Sequence, residues 1–190
     1  MKLVLIRHGR TMANELHQYL GSTDQGITEK AAEKIRHLKE EGFYPEINGY
    51  RVYTSGMRRT EETLAEIYGQ IPHGILPAFR EIDFGTFECH TYEELKEEPS
   101  YQAWLLDFET AAPPEGESFA SMKERVLSEL SALCKRGEDA LVVTHGGPIA
   151  AIMLTLFPEE GKNFYEWNPR HGEGFLIGFS KERGTFYHSL

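Results

Sequence analysis

The 190-residue chain is 40% hydrophobic and 26% charged, the balance of a globular protein large enough to bury a substantial core without disulfide or metal staples. Its net charge of −10 argues against nucleic acid or an anionic membrane as a partner, since both require a broad basic surface. The apolar run Leu3, Val4, Leu5, Ile6 is halted by Arg7, far short of a membrane span or signal-peptide core, so a cytoplasmic protein is expected.

That run lacks polar alternation, the pattern of a parallel strand covered on both faces, and it ends at Arg7-His8-Gly9. Ala31, Ala32, Ile35 and Leu38 recur at helical spacing behind the N-cap Thr28, with Gly42 at the stop, which predicts a helix over about 28–41. Residues 51–54 read as a short strand and 59–68 as a helix. Residues 84–117 are rich in Glu and aromatics, contain Pro99, Pro113 and Pro114, and read as a helical cap. A long helix enters from Ser118, carrying Phe119, Met122, Val126, Leu130 and Leu133 on one face. Residues 140–144 form a second fully apolar strand running into His145-Gly146-Gly147 and a helical stretch over 149–157; residues 174–179 should close the sheet. This alternation predicts an α/β fold: a three-layer α/β/α sandwich with a mainly parallel sheet, one domain over 1–190 with a small helical cap inserted at about 84–117. Cys89 and Cys134 form no C-x-x-C pattern, so neither a redox motif nor a thiolate zinc site is indicated.

In open α/β sheets ligands bind beyond the carboxyl ends of the strands, where the turns at Arg7-His8-Gly9, Ser55 to Arg59 and Thr144-His145-Gly146-Gly147 would converge. Arginine forks and backbone amides at helix starts suit a phosphate ester, and glycines let the backbone approach a ligand closely. A neutral imidazole keeps a lone pair near pH 7, which makes His8 a candidate nucleophile. A metal site built from the histidines with Glu81 or Asp83 is the alternative, but no H-E-x-x-H or other ligand spacing supports it, so neither metal nor cofactor is expected. Arg170-His171-Gly172 repeats the tripeptide after Asn168-Pro169 in a polar turn and reads as loop, reaching at most the rim of a substrate.

These residues resemble the histidine phosphatase superfamily, which includes cofactor-dependent phosphoglycerate mutases and many small phosphatases. Arg7-His8-Gly9 with Thr11 and Asn14 is similar to its nucleophile signature, and Ser55, Met57, Arg59 and Thr63 to its second-arginine segment. Glu81, ahead of Phe84-Gly85-Thr86-Phe87-Glu88, resembles its proton-donor segment, and Thr144-His145-Gly146-Gly147 its second histidine turn. The resemblance implies that His8 attacks phosphorus, that Glu81 protonates the leaving oxygen, and that Arg7, Arg59, His145 and Asn14 hold the phosphoryl oxygens. It also implies that Gly9, Arg10, Thr11, Gly21 and Gly146 face the substrate. Arg10 departs from the usual acidic or amide residue; it either meets a second anionic group or pairs with a surface carboxylate. Ala31, Thr60, Phe87 and Cys89 are further departures, the last expected to reshape the cap entrance.

A small phosphorylated metabolite is therefore the expected partner, hydrolysed through a phosphohistidine. Mutase-type phosphoryl transfer and non-catalytic phospho-ligand binding are the alternatives. From Glu88 to Glu117 the cap holds nine carboxylates and one lysine, Lys96, so a second phosphate there would meet repulsion, which favours the phosphatase. Phe84, Phe87, Tyr92, Tyr101, Trp104 and Phe108 either stack a planar leaving group or form the cap's own core. The segment from Thr91 to Phe119 resembles the α-ribazole phosphatase branch. No residue pattern specifies an oligomeric state.

Overall fold

The computed structural model describes residues 1–190. Strand β1 (Lys2–Arg7) buries Leu3, Val4, Leu5 and Ile6 completely, as a strand covered on both faces must. After the single-turn α1 (Met12–Glu15), α2 (Glu29–Glu40) starts where Thr28 accepts a hydrogen bond from the Ala31 amide. It stops one residue before Gly42, whose φ of +73° admits the left-handed turn. Strand β2 (Arg51–Thr54), α3 (Arg58–Tyr68) and the two-residue β3 (Gly74–Ile75) follow. The cap segment carries α4 (Tyr92–Leu95) and α5 (Pro99–Leu106). The long α6 (Phe119–Arg136), capped by the Ser118 side chain, leads to β4 (Ala140–Thr144), α7 (Gly146–Leu156), β5 (Gly174–Ser180) and β6 (Arg183–Ser189).

The sheet order is β3-β2-β4-β1-β5-β6, parallel from β3 to β1 and antiparallel through β5 and β6. One face packs against α6 and α7 through Leu3, Leu5, Val142, Met122, Val126 and Ile149; the other packs against α2 and α3 through Val4, Ile6, Val143, Ile35 and Leu64. This is the expected sandwich. Two predicted features differ from expectation, and the short α1 and β3 were not foreseen at all. Residues 174–179 do not close the sheet, because β6 lies beyond β5; its residues are all partly or fully exposed, so it carries no apolar alternation to betray it. Helix α7 begins at Gly146 rather than 149, with His145 at its N-cap position, so the turn holding the second histidine is shorter than predicted.

The cap has its own core: Phe87, Leu95, Tyr101 and Trp104 are buried together, with Tyr19, Phe84 and Phe108 packed against them. The Tyr19 and Tyr101 hydroxyls meet at 2.5 Å. Of the rings considered for stacking a leaving group, Tyr92 is the exposed one. No helix is long and apolar enough to cross a membrane.

Candidate active site

Pairing of β1 with β4 sets Arg7 opposite Thr144, so the next residues, His8 and His145, leave the sheet side by side. The His8 amide donates to the Thr144 carbonyl, and the two imidazole centroids lie 5.1 Å apart. The His8 Nδ1 is 2.7 Å from the Gly9 carbonyl, which can only accept, so Nδ1 carries the proton and Nε2 keeps its lone pair. Burial, followed by the nearby His145 and Arg59, holds the His8 pKa well below the ordinary histidine value. The ring is thus neutral, with a lone pair on Nε2.

His145 has the opposite tautomer. Arg59 Nε donates to its Nδ1 at 3.2 Å, so the proton sits on Nε2, which donates to Ser55 Oγ at 2.8 Å. Burial and the Arg59 charge push its pKa well down as well. Both ring nitrogens are engaged by protein groups, so His145 links Ser55 to Arg59 and offers no spare donor in this arrangement. Arg59 is completely buried, and its Nη1 and Nη2 donate to the carbonyls of Thr23 (2.9 Å) and Gly21 (2.6 Å). The 21–23 loop is itself fixed by Glu88, whose carboxylate accepts from the amides of Gly21, Ser22, Thr23 and Phe84.

Arg7 Nη1 donates to Asn168 Oδ1 (2.8 Å) and the Pro169 carbonyl (2.9 Å). Burial lowers its pKa to about 10, opposed by the charge of Glu81. Glu81 follows a 3-10 turn, Pro77–Phe79, and its Oε2 accepts from the Gly147 amide at 3.1 Å at the start of α7, where the helix dipole favours negative charge. Arg125 clamps the preceding backbone by donating to the carbonyls of Ala78, Arg80 and Glu81.

The substrate-facing residues expected from sequence fall into two groups. Thr11 and Asn14 form a capping box on α1, with Asn14 Oδ1 accepting from the Thr11 amide, which leaves the Asn14 Nδ2 protons for a ligand. The glycines instead admit protein groups. The Gly9 amide donates to Thr63 Oγ1, and a Cβ there would stand 2.8 Å from Ile35 Cδ1. A Cβ on Gly146 would lie 2.4 Å from the Asn168 oxygen that Arg7 needs; one on Gly21 would meet the Ile82 carbonyl at 1.8 Å. Arg10 Nη1 stands 3.4 Å from Glu15 in a half-exposed pair, while its Nε is buried without a partner.

Asn168 and His171 carry more than the loop reading allowed. His171 Nδ1 donates to the His8 carbonyl at 3.0 Å and its ring lies 5.2 Å from that of His8; burial and Arg7 push its pKa down to about 3. It is loop, as expected, but it packs against His8 and donates to its carbonyl. Its only sequence signal was the repeated tripeptide. No three His, Cys, Asp or Glu side chains converge as a metal centre would require.

The model of the histidine phosphatase superfamily (branch 1) matches residues 3–188. An adenosylcobalamin/alpha-ribazole phosphatase of Salmonella typhimurium is 28% identical over 179 residues, covering 90% of this chain and 87% of that one. A 2,3-bisphosphoglycerate-dependent phosphoglycerate mutase of Bartonella henselae is 31% identical over 180 residues, covering 86% and 84%. The crystal structure of the alpha-ribazole phosphatase from Shigella flexneri superposes with a TM-score of 0.84 at 26% identity, covering 97% of this chain and 94% of that one. With a family match running from β1 to β6 and the paired histidines at the ends of adjacent parallel strands, the chain belongs to the histidine phosphatase superfamily.

Proposed function

We propose that the chain hydrolyses the phosphate monoester of a small metabolite through a phosphohistidine at His8. The observation that carries this reading is the fixed tautomer of His8: Nδ1–H is spent on the Gly9 carbonyl, and a neutral Nε2 remains among the charges of Arg7 and Arg59. Nε2 attacks phosphorus, the ester P–O bond breaks, and Glu81 delivers a proton to the departing oxygen. Water then attacks the phosphohistidine and passes a proton to Glu81, releasing inorganic phosphate and neutral His8. Charge on the equatorial oxygens is met by Arg7, Arg59 and Asn14, whose positions are set before the substrate arrives and cost no reorganisation during reaction.

The phosphoglycerate mutase relatives support a second reading, phosphoryl transfer to another hydroxyl. The nine carboxylates and single lysine of residues 88–117 weigh against it, since a second phosphate beneath the cap would be repelled. The α-ribazole phosphatase relatives make α-ribazole phosphate the first substrate to assay. The test is a panel of α-ribazole phosphate, 3-phosphoglycerate, sugar phosphates and an aryl phosphate, with chelator present, followed for free phosphate and isomerised ester. Quenching into alkaline denaturant at early times traps any phosphoenzyme, because the N–P bond of phosphohistidine survives base and is lost in acid. Phosphate release with an acid-labile label on His8, lost in His8→Asn, is expected. Isomerisation without net phosphate release, activity that chelation removes, or a label elsewhere would overturn the proposal.

A further inference from the structure

A groove of about 650 Å³, lined by no residue of the cap, lies between the start of α2, the turn after β1 and the 168–171 loop. Its walls include Arg7, Arg10, Lys30, Lys34 and Arg170, with Glu15 the one carboxylate among the lining residues. In a chain of net charge −10 this is a local concentration of five cations. Glu15 reaches Arg10 at 3.4 Å, and Glu173 reaches Lys34 at 3.3 Å, so three of the five have no carboxylate within salt-bridge distance. Four buried side-chain polar atoms in the protein lack a hydrogen-bond partner; two are tryptophan nitrogens and the other two, Arg7 Nε and Arg10 Nε, belong to residues of this groove. An unpaired buried guanidinium N–H carries a standing desolvation cost, which a turn of either side chain toward an anion's oxygen in the groove would remove.

A separate recess beside Glu81, about 380 Å³, is lined by Asp83, Glu115, Glu117, Arg80 and Arg125 and shares no residue with the groove. Glu81, the proton donor of the reading above, lines that recess and not the groove, which sets the groove apart from the leaving-group side of that reading. We propose that the groove is a second anion site, taking a free dianion of the phosphate class, with Arg7 as the wall common to it and the phosphoryl pocket. Because both anions draw on Arg7, occupancy of either site alters affinity at the other, and by linkage the effect is reciprocal. Such an anion inhibits by a mixed pattern rather than by simple competition with the ester.

The probe is inorganic sulfate, titrated calorimetrically into the whole protein with and without saturating vanadate in the phosphoryl pocket. The comparison protein is the double variant Lys30→Gln, Lys34→Gln; both side chains are exposed on α2, and glutamine keeps the helix propensity of lysine. Two sulfates per chain are expected, one surviving vanadate. The surviving one should weaken on the order of tenfold in the double variant and fade with added sodium chloride. In turnover of a simple monoester, sulfate inhibition should change from mixed to competitive in that variant, with kcat/KM unchanged when sulfate is absent. One sulfate only, or a vanadate-resistant site indifferent to the double substitution, overturns the proposal. A single sulfate together with a raised KM confined to esters bearing a second anion would overturn it in favour of a subsite for the substrate's own charge. The sulfate titration reads binding, so its failure leaves the phosphohistidine reading standing, and failure of that reading leaves the titration interpretable.

Discussion

Gly147→Ala is the substitution that isolates the proposed proton donor, Glu81, from the fold. Gly147 lies in α7 with no positive φ, so its backbone accepts alanine without strain. The added Cβ, however, would stand 2.1 Å from Glu81 Oε1 and 3.2 Å from Glu81 Cδ, and the nearest atom outside Glu81, Met122 Cε, lies at 3.3 Å. Ordinary van der Waals separation is about 3.4 Å or more, so the carboxylate must retreat by over about 1 Å and give up its hydrogen bond to the Gly147 amide. A displacement of about 1 Å in a catalytic group costs roughly 10²-fold, and general acid catalysis as a whole contributes about 10²–10⁴-fold. Turnover of an alkyl phosphate should therefore fall by about 10²–10³-fold, while an aryl phosphate, whose leaving group needs little protonation, should lose less than about tenfold. Unfolding free energy should stay within about 1 kcal/mol of the parent, because Glu81 is partly exposed and can rehydrate. The assay is kcat/KM across a leaving-group series beside a urea melt. Glu81→Gln should show the same selectivity, and combining the two should add little, as for groups acting as one unit. Equal losses on alkyl and aryl esters, or unimpaired alkyl turnover in a folded Gly147→Ala protein, would refute Glu81 as the acid held by this amide.

Ser55→Ala removes the acceptor of the buried His145 Nε2–H, which should cost about 1–3 kcal/mol in denaturant unfolding and loosen Arg59, seen as a lower kcat/KM; an unchanged midpoint would contradict the Ser55–His145–Arg59 chain. Stability should also depend on pH above the range where carboxylates titrate. His8 and His145 are held neutral far below the ordinary value and His171 to about 3, whereas unfolded histidines take up protons near pH 6.5. Their contribution is complete above about pH 6.5 and declines as the pH falls, by up to about 1.4 kcal/mol per pH unit for each histidine, until the folded pKa is reached. Urea melts at pH 7.5, 6 and 5 should show that slope, reduced by one proton in His171→Asn; a flat profile over this window would count against buried neutral imidazoles.

Sequence alone determined the central architecture and the chemistry-bearing turns. Leu3 to Ile6 and Ala140 to Val143 admit water on neither face, and a continuous apolar run of that length, ended by a glycine-containing turn, leaves little besides a parallel central strand. The caps at Thr28 and Ser118 were legible for the same local reason: a side-chain oxygen satisfies an amide only a few residues away. What escaped were features fixed by distant partners. β6 has no buried face of its own and exists because β5 presents a free edge. The tautomers of His8 and His145 follow from a carbonyl next door in one case and from an arginine 86 residues away in the other. His171 looked like loop because its role depends on meeting His8 across a separation of 163 residues. The cap aromatics could have faced a ligand or one another; burial of Phe87, Tyr101 and Trp104 in one cluster was decided by packing. Arg10 was open between a surface carboxylate and a second anion, and the structure supplies a weak contact to Glu15 together with a buried unpaired nitrogen. Periodicity and capping act over a few residues and are written in the sequence; hydrogen-bond partners, desolvation and the walls of a groove depend on which distant segments the sheet brings together, and only the tertiary structure sets those.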